Sequence, residues 1–234
     1  MPKSNSAFLD FVRQVVLGDV QEVSRRLAES PSFAIASSEV GATRQDASTY
    51  FFTEISHYLF VGDTALHMAS AAFSRPIAEL LVGHRANCRV KNRRGAEPIH
   101  YASDTNHWNP TAQSETIEYL LAIGADPNAV DKSGVAPLHR AVRTRSLPAV
   151  RALLNRGANP KMPNKSGSTP LHLAVQTTGR GASGSEHGRQ QQVGIISLLL
   201  ECGARPTDKN GQGKSVHQAA TSDWIRSLLI ESSG

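Results

Sequence analysis

Cysteine is scarce in this chain, and long hydrophobic runs are missing. Its two cysteines, Cys88 and Cys202, lie far apart in the sequence, so neither a disulfide framework nor a thiolate metal site is expected. No stretch approaches the roughly 18 uninterrupted apolar residues of a membrane-spanning helix. The first residues also lack the basic tip and apolar run of a signal peptide. We therefore expect a cytoplasmic protein without a membrane span.

Aromatic residues and catalytic patterns are also sparse. Aromatics make up 6% of the chain against 39% hydrophobic residues in total, and the predominance of Leu and Ala suits stacked helices better than a β-sandwich. No Ser/His/Asp, Cys/His or paired-carboxylate arrangement has a convincing context. Residues 179–184 match a dinucleotide-binding glycine pattern but lack the preceding strand and the directly following helix that it needs. We expect no enzyme activity and no cofactor.

What the chain does contain is a repeated hexapeptide. Its clearest copy is Thr169-Pro170-Leu171-His172-Leu173-Ala174, and related segments lie at 64–69, 97–102, 136–141 and, in degenerate form, 215–220. The equivalent aliphatic positions of the four clear copies are separated by 33, 39 and 33 residues. A period of about 33 residues with this hexapeptide resembles the ankyrin-repeat family.

The resemblance implies an all-α solenoid of helix-turn-helix repeats with β-hairpin-like finger loops, closed by divergent N- and C-terminal capping repeats. We predict a degenerate helical repeat at 1–30, an insertion with an aromatic segment at 31–60, four repeats at 61–207 and a degenerate cap at 208–234. Two insertions between the helices of a repeat are predicted near 103–114 and 177–192, the second of them with a mobile tip.

Each repeat is predicted to follow one local plan. A glycine-containing turn forms the fingertip, and Thr or its substitute caps a first helix whose initial turn tolerates proline. The second helix ends in paired aliphatic residues and then a glycine, which favours the left-handed geometry of a helix C-terminus. Arg85 replaces this glycine in the first regular repeat, so we expect strain or a different turn there. In the last repeat two registers stay open. Lys209-Asn210-Gly211 suggests one fingertip, whereas Gly213-Lys214-Ser215-Val216 aligns better with the start of the first helix.

The insertion at 31–60 is predicted to be loop-like up to about Ala47 and helical after Ser48 or Thr49. Phe51, Ile55 and Tyr58 or Leu59 have the spacing of one helix face. The aromatic cluster at 50–60 has two interpretations: it seals the first repeat against water, or it is an exposed anchor for a partner.

Four histidines occupy the same position of the hexapeptide: His67, His100, His139 and His172. The family resemblance implies that this histidine is a structural pin whose ring bonds backbone between neighbouring hairpins. Stacked repeats would space the four rings along the solenoid, so we expect no metal site.

Cationic residues concentrate at the predicted fingertips of a chain with a formal charge of +5. A solenoid would set these tips side by side as a basic ridge. One interpretation is a solvated edge; the other is a surface for an acidic face of a partner protein, with nucleic acid the weaker option because aromatics do not alternate with the charges. The tip residues are Lys91, Arg93, Arg94, Lys132, Lys161, Lys165, Lys209 and Lys214.

We predict a monomeric, non-catalytic protein-protein interaction module that uses these tips and a concave groove formed by the first helices. Alternatives are a nucleic-acid or anionic-surface binder using the same ridge, and an accessory or inhibitory subunit of an enzyme. Trp108 is an anchor candidate outside the groove, with a buried packing role as the alternative. The candidate partner-binding residues are Arg93, Arg94, Tyr101, Asp104, Trp108, Lys132, Arg140, Arg143, Thr144, Lys165 and Gln176.

Overall fold

The computed structural model describes residues 3–104, 109–176 and 185–231. The chain divides into two compact units, Met1–Asp126 and Pro127–Gly234, called unit 1 and unit 2 below. Both units are built mainly from short helices, and the predicted all-α repeat architecture is confirmed. In the described ranges, no helix is long and apolar enough to cross a bilayer.

Unit 1 is made of three helix pairs in two layers. The first helices α1, α3 and α5 pack on one another, and the second helices α2, α4 and α6 form the other layer. A turn at Gly18, with φ of 77°, separates the two helices of the first pair. The helices are α1 (Lys3–Leu17), α2 (Val20–Glu29), α3 (Ala65–Ala71), α4 (Arg75–Gly83), α5 (Pro98–Ala102) and α6 (Pro110–Ala122).

Unit 2 repeats this arrangement. Helix α7 packs on α9, which contacts α11, and α8 packs on α10. Residues Val216, Ala220, Ile225 and Leu229 are buried in the terminal pair, whereas Trp224 is half-buried. The helices are α7 (Pro137–Arg143), α8 (Leu147–Asn155), α9 (Pro170–Ala174), α10 (Glu186–Glu201), α11 (Val216–Ala219) and α12 (Asp223–Glu231).

The helix ends follow the predicted local plan. Proline occupies the first turn of α5, α7 and α9, where no helical N–H is needed. Gly124, Gly157 and Gly203 end second helices with φ between 86 and 100°. Arg85 takes the same left-handed conformation, with φ of 71°. The expected strain at this non-glycine position is confirmed.

The predicted helix in the aromatic segment is wrong. Ser48–Tyr50 form a single 3-10 turn, and the chain then makes a hairpin of strands β1 (Phe51–Phe52) and β2 (His57–Tyr58). Leu59 N donates to Tyr50 O at 2.9 Å beyond the strands. Aromatic residues favour this pleated pairing, and Ser56, with φ of 47°, turns the chain in a way that a right-handed helix does not allow.

The hairpin has a buried face and an exposed one. Tyr50, Ile55 and Leu59 are buried, which agrees with a sealing role. Phe51 and Tyr58 are 37% and 38% exposed, and their ring centroids lie 4.7 Å apart. The segment therefore seals one side of unit 1 while it leaves an aromatic pair accessible on the other.

The two predicted inter-helix insertions include residues 105–108 and 177–184, which lie outside the described residues, as does the expected mobile tip. Helix α6 begins within the first insertion at Pro110, and residues 186–192 of the second belong to α10.

A buried glutamine completes the corner of each repeat that carries an insertion. In a repeat without one, the carbonyl near the end of the first helix accepts a backbone N–H from the next turn, as from Ser74 N at 3.0 Å. In the other two repeats, Gln113 Nε2 donates to Ala102 O at 2.9 Å and Gln192 Nε2 donates to Ala174 O at 2.6 Å. The side chain thus replaces the backbone donor that a longer loop has moved away. Sequence reasoning missed this substitution.

Candidate functional site

The hexapeptide histidines join each first helix to the finger that follows it. His67 Nδ1 accepts from Thr64 N at 3.1 Å, and its Nε2 lies 3.1 Å from Ala96 O. The equivalent rings place Nε2 3.2 Å from Ser168 O for His139 and 3.3 Å from Lys214 O for His172. One tautomer satisfies both contacts, with Nδ1 accepting and Nε2 donating. The predicted pin is confirmed at these three positions.

Burial shifts the pKa of one of these histidines. It lowers the pKa of His139, because the charged imidazolium is poorly solvated there, although bonds to the carbonyls of Ser168 and Met162 oppose the shift. The neutral ring is the form that supports the Nδ1 acceptor. Among the described residues, no group of three or more His, Cys, Asp or Glu side chains could hold a metal ion.

Each finger is closed by an Asn or Asp side chain at its base. Asn164 Oδ1 accepts from Ser166 N and Ser168 N, both at 3.0 Å, and Gly167 follows with φ of 74°. The side chain therefore holds the tight turn that carries the fingertip. The residues at this position are Asn92, Asp131, Asn164 and Asn210.

The Asn210 turn settles the register of the last finger. Asn210 Oδ1 accepts from Gln212 N and Lys214 N, and Gly213 has φ of 75°. The fingertip therefore spans 210–213, and α11 begins at Val216 after the N-cap Ser215, so the alternative that aligned Gly213-Lys214-Ser215-Val216 with the helix start is confirmed. An Asn or Asp five residues before the hexapeptide recurs in four of its five copies and is the signal that identifies these four finger bases.

In unit 2, three successive fingers are bonded side by side. Lys165 N donates to Ser133 O at 3.1 Å, and Gly211 N donates to Ser166 O at 3.0 Å. Four lysine side chains of these fingers are exposed. We call them the unit 2 ridge: Lys132, Lys165, Lys209 and Lys214.

The acidic residue within this ridge is engaged inside its own finger. Burial alone would raise the pKa of Asp131, but backbone N–H donors of Val135 and Ser133 and the Arg140 guanidinium together lower it. Arg140 Nη2 lies 3.0 Å from Asp131 Oδ2, and the two side chains are only 13% and 10% exposed. Arg140, predicted as a partner-binding residue, thus braces the finger instead of projecting from it.

The finger of unit 1 carries the predicted pair Arg93 and Arg94. Both are exposed, and Arg93 N donates to Val61 O at 3.0 Å. The Arg94 guanidinium carbon lies 3.8 Å from the centroid of the Phe60 ring, a cation–π contact. Arg94 is therefore oriented by the aromatic segment, whereas Arg93 projects from the fingertip.

Tyr101 and Asp104, which were predicted to bind a partner, are both buried. Tyr101 is 2% exposed, and its hydroxyl donates to the Asp63 carboxyl at 2.8 Å, so it belongs to the core of unit 1. Asp104 is 8% exposed at the end of the first-helix segment. Distance from the hexapeptide histidine puts Asp104 in the groove, but such counting does not distinguish the buried side of a short helix from its open side.

The remaining predicted residues divide by exposure. Arg143 and Gln176 are exposed after α7 and α9, where a partner could reach them, and Thr144 is half-buried with its hydroxyl 3.0 Å from Arg140 O. Trp108 lies outside the described residues. Of the predicted residues in unit 2, Lys132, Lys165, Arg143 and Gln176 are therefore exposed and stay candidates for partner contact.

Glu97 is an anomaly beside the unit 1 finger. It stands where Thr64 and Thr169 cap other first helices, yet it is 2% exposed and its Oε2 receives no hydrogen bond from the described residues. Lys91 Nζ is 3.9 Å from the other carboxyl oxygen. Burial raises the pKa of the Glu97 carboxyl, and Lys91 and Arg89 oppose this only in part.

Replacing Glu97 with threonine is expected to raise the free energy of unfolding by about 1–2 kcal/mol at pH 7, because it removes a buried unsatisfied group. It also restores a hydroxyl, which lies 2.9 Å from the histidine Nδ1 in the repeats of Thr64 and Thr169. Urea denaturation followed by circular dichroism measures the change.

The pH dependence of this stability gain tests whether the buried Glu97 carboxylate is its cause. Because the folded-state pKa of Glu97 lies above the unfolded value of about 4.3, the destabilisation is full at neutral pH and is lost as the pH falls through both values. Glu97→Gln keeps the size and removes the charge, so its advantage should shrink over the same range. An advantage that grows as the pH falls would contradict this account.

Residues 44–131 and 109–210 match the family model described as ankyrin repeats (3 copies). The chain is 41% identical over 81 residues, 35% of its length, to the E3 ubiquitin-protein ligase KEG of Arabidopsis thaliana, and covers 5% of that protein. It is 33% identical over 96 residues, 39% of its length, to NF-kappa-B inhibitor alpha of Gallus gallus, and covers 28% of it. The chain thus spans only a small part of either relative.

Proposed function

Because the chain belongs to the ankyrin-repeat family, we propose that it binds a partner protein without catalysis, using the unit 2 ridge and the first-helix ends beside it. Ankyrin repeats generally mediate protein–protein interaction. The proposal adds the surface and the character of the partner, which would present an acidic face to the four lysines. It is supported by exposed charge, by side-by-side fingers and by polar positions that differ between repeats.

The observation that carries the proposal is the backbone bonding between fingers of unit 2. Bonds from Lys165 N to Ser133 O and from Gly211 N to Ser166 O hold adjacent fingertips together before any partner arrives. A preformed surface loses little conformational entropy on binding. Lysines with no buried acidic partner also attract an acidic surface over a distance and orient its approach.

A protein partner is favoured over single-stranded nucleic acid by the lack of aromatics. Residues 127–234 contain one aromatic side chain of the Phe, Trp and Tyr type, Trp224, and it lies in α12. Binders of single strands generally stack bases on aromatics between their cations. The unit 2 ridge offers cations without that platform.

Inhibition or accessory binding is the second candidate function. It rests on the match to NF-kappa-B inhibitor alpha, whose name describes an inhibitor and whose matched part covers 39% of this chain. The ligase activity in the name of KEG carries less weight, since the match covers 5% of that protein. An inhibitory role would use the same surface, so the two candidates differ in the consequence of binding.

Reversing the ridge charges is expected to abolish partner capture. The triple variant Lys132→Glu, Lys165→Glu, Lys209→Glu should reduce recovery of bound protein from a native lysate by about tenfold or more, because each favourable contact becomes repulsive. Quantitative mass spectrometry of the captured proteins measures the change.

A matched control carries the same charge change elsewhere on unit 2. Arg151→Glu, Arg156→Glu, Arg189→Glu alters three exposed arginines that are not on fingers and should retain the partner. Capture that survives the lysine variant would show that the ridge is only a solvated edge. Capture by the unaltered chain that nuclease treatment of the lysate removes, with a steep salt dependence, would favour the nucleic-acid alternative.

A further inference from the structure

A groove of about 350 Å³ lies between α1 and the aromatic hairpin of unit 1. One wall is formed by α1 and the other by residues around β1. Its lining combines apolar side chains with polar and charged ones. Its lining residues are Ser6, Leu9, Asp10, Arg13, Val16, Leu17, Thr49, Phe51, Phe52, Thr53 and Glu54.

The α1 wall of the groove is a second face of this helix, whose first face is buried in the core. Phe8, Phe11, Val12 and Val15 are at most 4% exposed and form the core side. The groove residues occur at positions 6, 9, 10, 13, 16 and 17, which is the spacing of one helix stripe. Helix α1 therefore presents a mixed stripe beside its core face, in which Leu9, Val16 and Leu17 are the apolar members.

Apolar side chains are unusually accessible at this groove. Leu17 is 60% exposed and Phe51 is 37% exposed, and Phe51 contacts the equally accessible Tyr58. A single exposed leucine is ordinary, but several apolar side chains beside one concavity are typical of a binding surface. The hairpin wall is held by Leu59, which bonds Tyr50 O through its N–H and Ala42 N through its carbonyl.

The rim of the groove has acidic character. Arg13 lies 3.1 Å from Asp10 and neutralises it. Glu54 then remains as the other charged residue of the lining, and its carboxyl accepts from the Thr53 hydroxyl at 3.3 Å. This charge is opposite in sign to that of the fingertips, so the groove and the unit 2 ridge select different chemistry.

We propose that this groove binds a short peptide segment of a partner protein that carries an aliphatic or aromatic anchor next to a lysine or arginine. The anchor fills the space between Leu17 and Phe51, and the cation pairs with Glu54 at the rim. Burial of the anchor supplies the affinity, because it removes accessible apolar surface of both the anchor and the groove from contact with water. The Glu54 carboxylate supplies the preference for a basic neighbour.

Selection of random heptapeptides displayed on phage against the full chain tests the proposal. The enriched peptides should pair an apolar anchor with an adjacent basic residue. For the most enriched peptide, synthesised and labelled, Leu17→Glu and Phe51→Ala should each raise the dissociation constant by about tenfold or more. Glu54→Lys should shift the selected neighbour from basic to acidic.

Two controls keep the result interpretable. Ile35→Glu introduces the same charge at a residue of similar exposure, 63% against 60% for Leu17, outside the groove lining, and should leave peptide affinity unchanged. The ridge variant in unit 2 should also leave it unchanged, so failure of either proposal is visible separately. Thermal unfolding confirms that each variant is folded.

Other outcomes would overturn the proposal. A peptide that binds Leu17→Glu as tightly as the unaltered chain would place its site elsewhere. Selection without a basic preference would remove the role of Glu54. Concentration-dependent self-association that Leu17→Glu abolishes, measured by sedimentation, would assign the groove to a second copy of the chain instead.

Discussion

Replacing Asp63 with alanine is expected to lower the free energy of unfolding of unit 1 by about 3–5 kcal/mol. The carboxyl group is fully buried and accepts hydrogen bonds from Phe60 N at 2.6 Å, Asn92 Nδ2 at 2.8 Å and Tyr101 Oη at 2.8 Å. Alanine would remove the acceptor that these three buried donors share. Loss of an acceptor shared by several buried donors costs more than loss of one exposed bond.

This single side chain joins three separate parts of unit 1. Phe60 ends the aromatic segment, Asn92 forms the base of the finger, and Tyr101 lies in α5. Asn92 Nδ2 also lies 2.9 Å from the Tyr101 hydroxyl, so the groups form one network. Hydrogen exchange measured by mass spectrometry should therefore show lost protection in all three parts, while urea denaturation gives the energy.

Tyr101→Phe is the graded comparison for Asp63→Ala. It removes one hydroxyl and leaves the Asp63 carboxyl with its two nitrogen donors, so we expect a loss of about 1 kcal/mol. In the double variant the effects should be less than additive, since the hydroxyl no longer needs an acceptor. Strict additivity, or an Asp63→Ala effect below that of Tyr101→Phe, would show that the network contributes little.

Gly167→Ala is expected to destabilise unit 2 by about 2–4 kcal/mol. Gly167 has φ of 74°, which L side chains rarely adopt. A Cβ built there would overlap Gly211 N in the next finger and lie 2.7 Å from Gly211 Cα. Since both obstacles are backbone atoms, the fingers would have to move apart, and thermal denaturation measures the loss.

Gly213→Ala separates the cost of the left-handed backbone conformation from the cost of the steric overlap. Gly213 has nearly the same φ, 75°, but a Cβ there would meet nothing within 4 Å among the atoms compared. It should cost only the conformational term of about 1–2 kcal/mol. Equal losses for the two variants would contradict the close approach of the fingers.

The same pair of variants connects stability with the proposed function. Gly167→Ala should displace the backbone that aligns Lys165 with its neighbours. Gly213→Ala lies within the last finger, where the added Cβ meets no close neighbour. We expect partner capture to fall more for Gly167→Ala, at a temperature where both variants remain folded. This compares a change in ridge geometry with a change in local conformation alone.

The repeat architecture was predictable because its signals are local and recur. A hexapeptide with a proline-tolerant start, an inward leucine and a pinning histidine fits only one position of the repeat, so its spacing reveals the helices. The glycines that occupy the same place in later repeats indicated strain or a different turn at Arg85, and the structure has the left-handed conformation. These inferences depend on neighbouring residues along the chain and on repetition, both of which a sequence displays directly.

The aromatic hairpin and the burial of Tyr101 were not predictable in this way. The spacing of Phe51, Ile55 and Leu59 suits one helix face, but bonds between distant residues, such as Ala42 N to Leu59 O at 2.8 Å, favour a hairpin. Tyr101 is predicted as a partner-binding residue, yet its hydroxyl donates to the buried Asp63 carboxyl. Gln113 and Gln192 likewise become corner donors only because their helices begin after long loops.

By itself, the sequence determined the family, the helical repeats, the pinning histidines and the concentration of cations at fingertips, since each depends on short-range chemistry repeated in register. The tertiary structure alone decided which of those residues are available. It withdrew Tyr101 and Asp104 by burial, engaged Arg140 with Asp131, and opened a groove beside Phe51. Accessibility depends on which distant segments pack together, and that packing is the sum of many contacts between residues far apart in the chain.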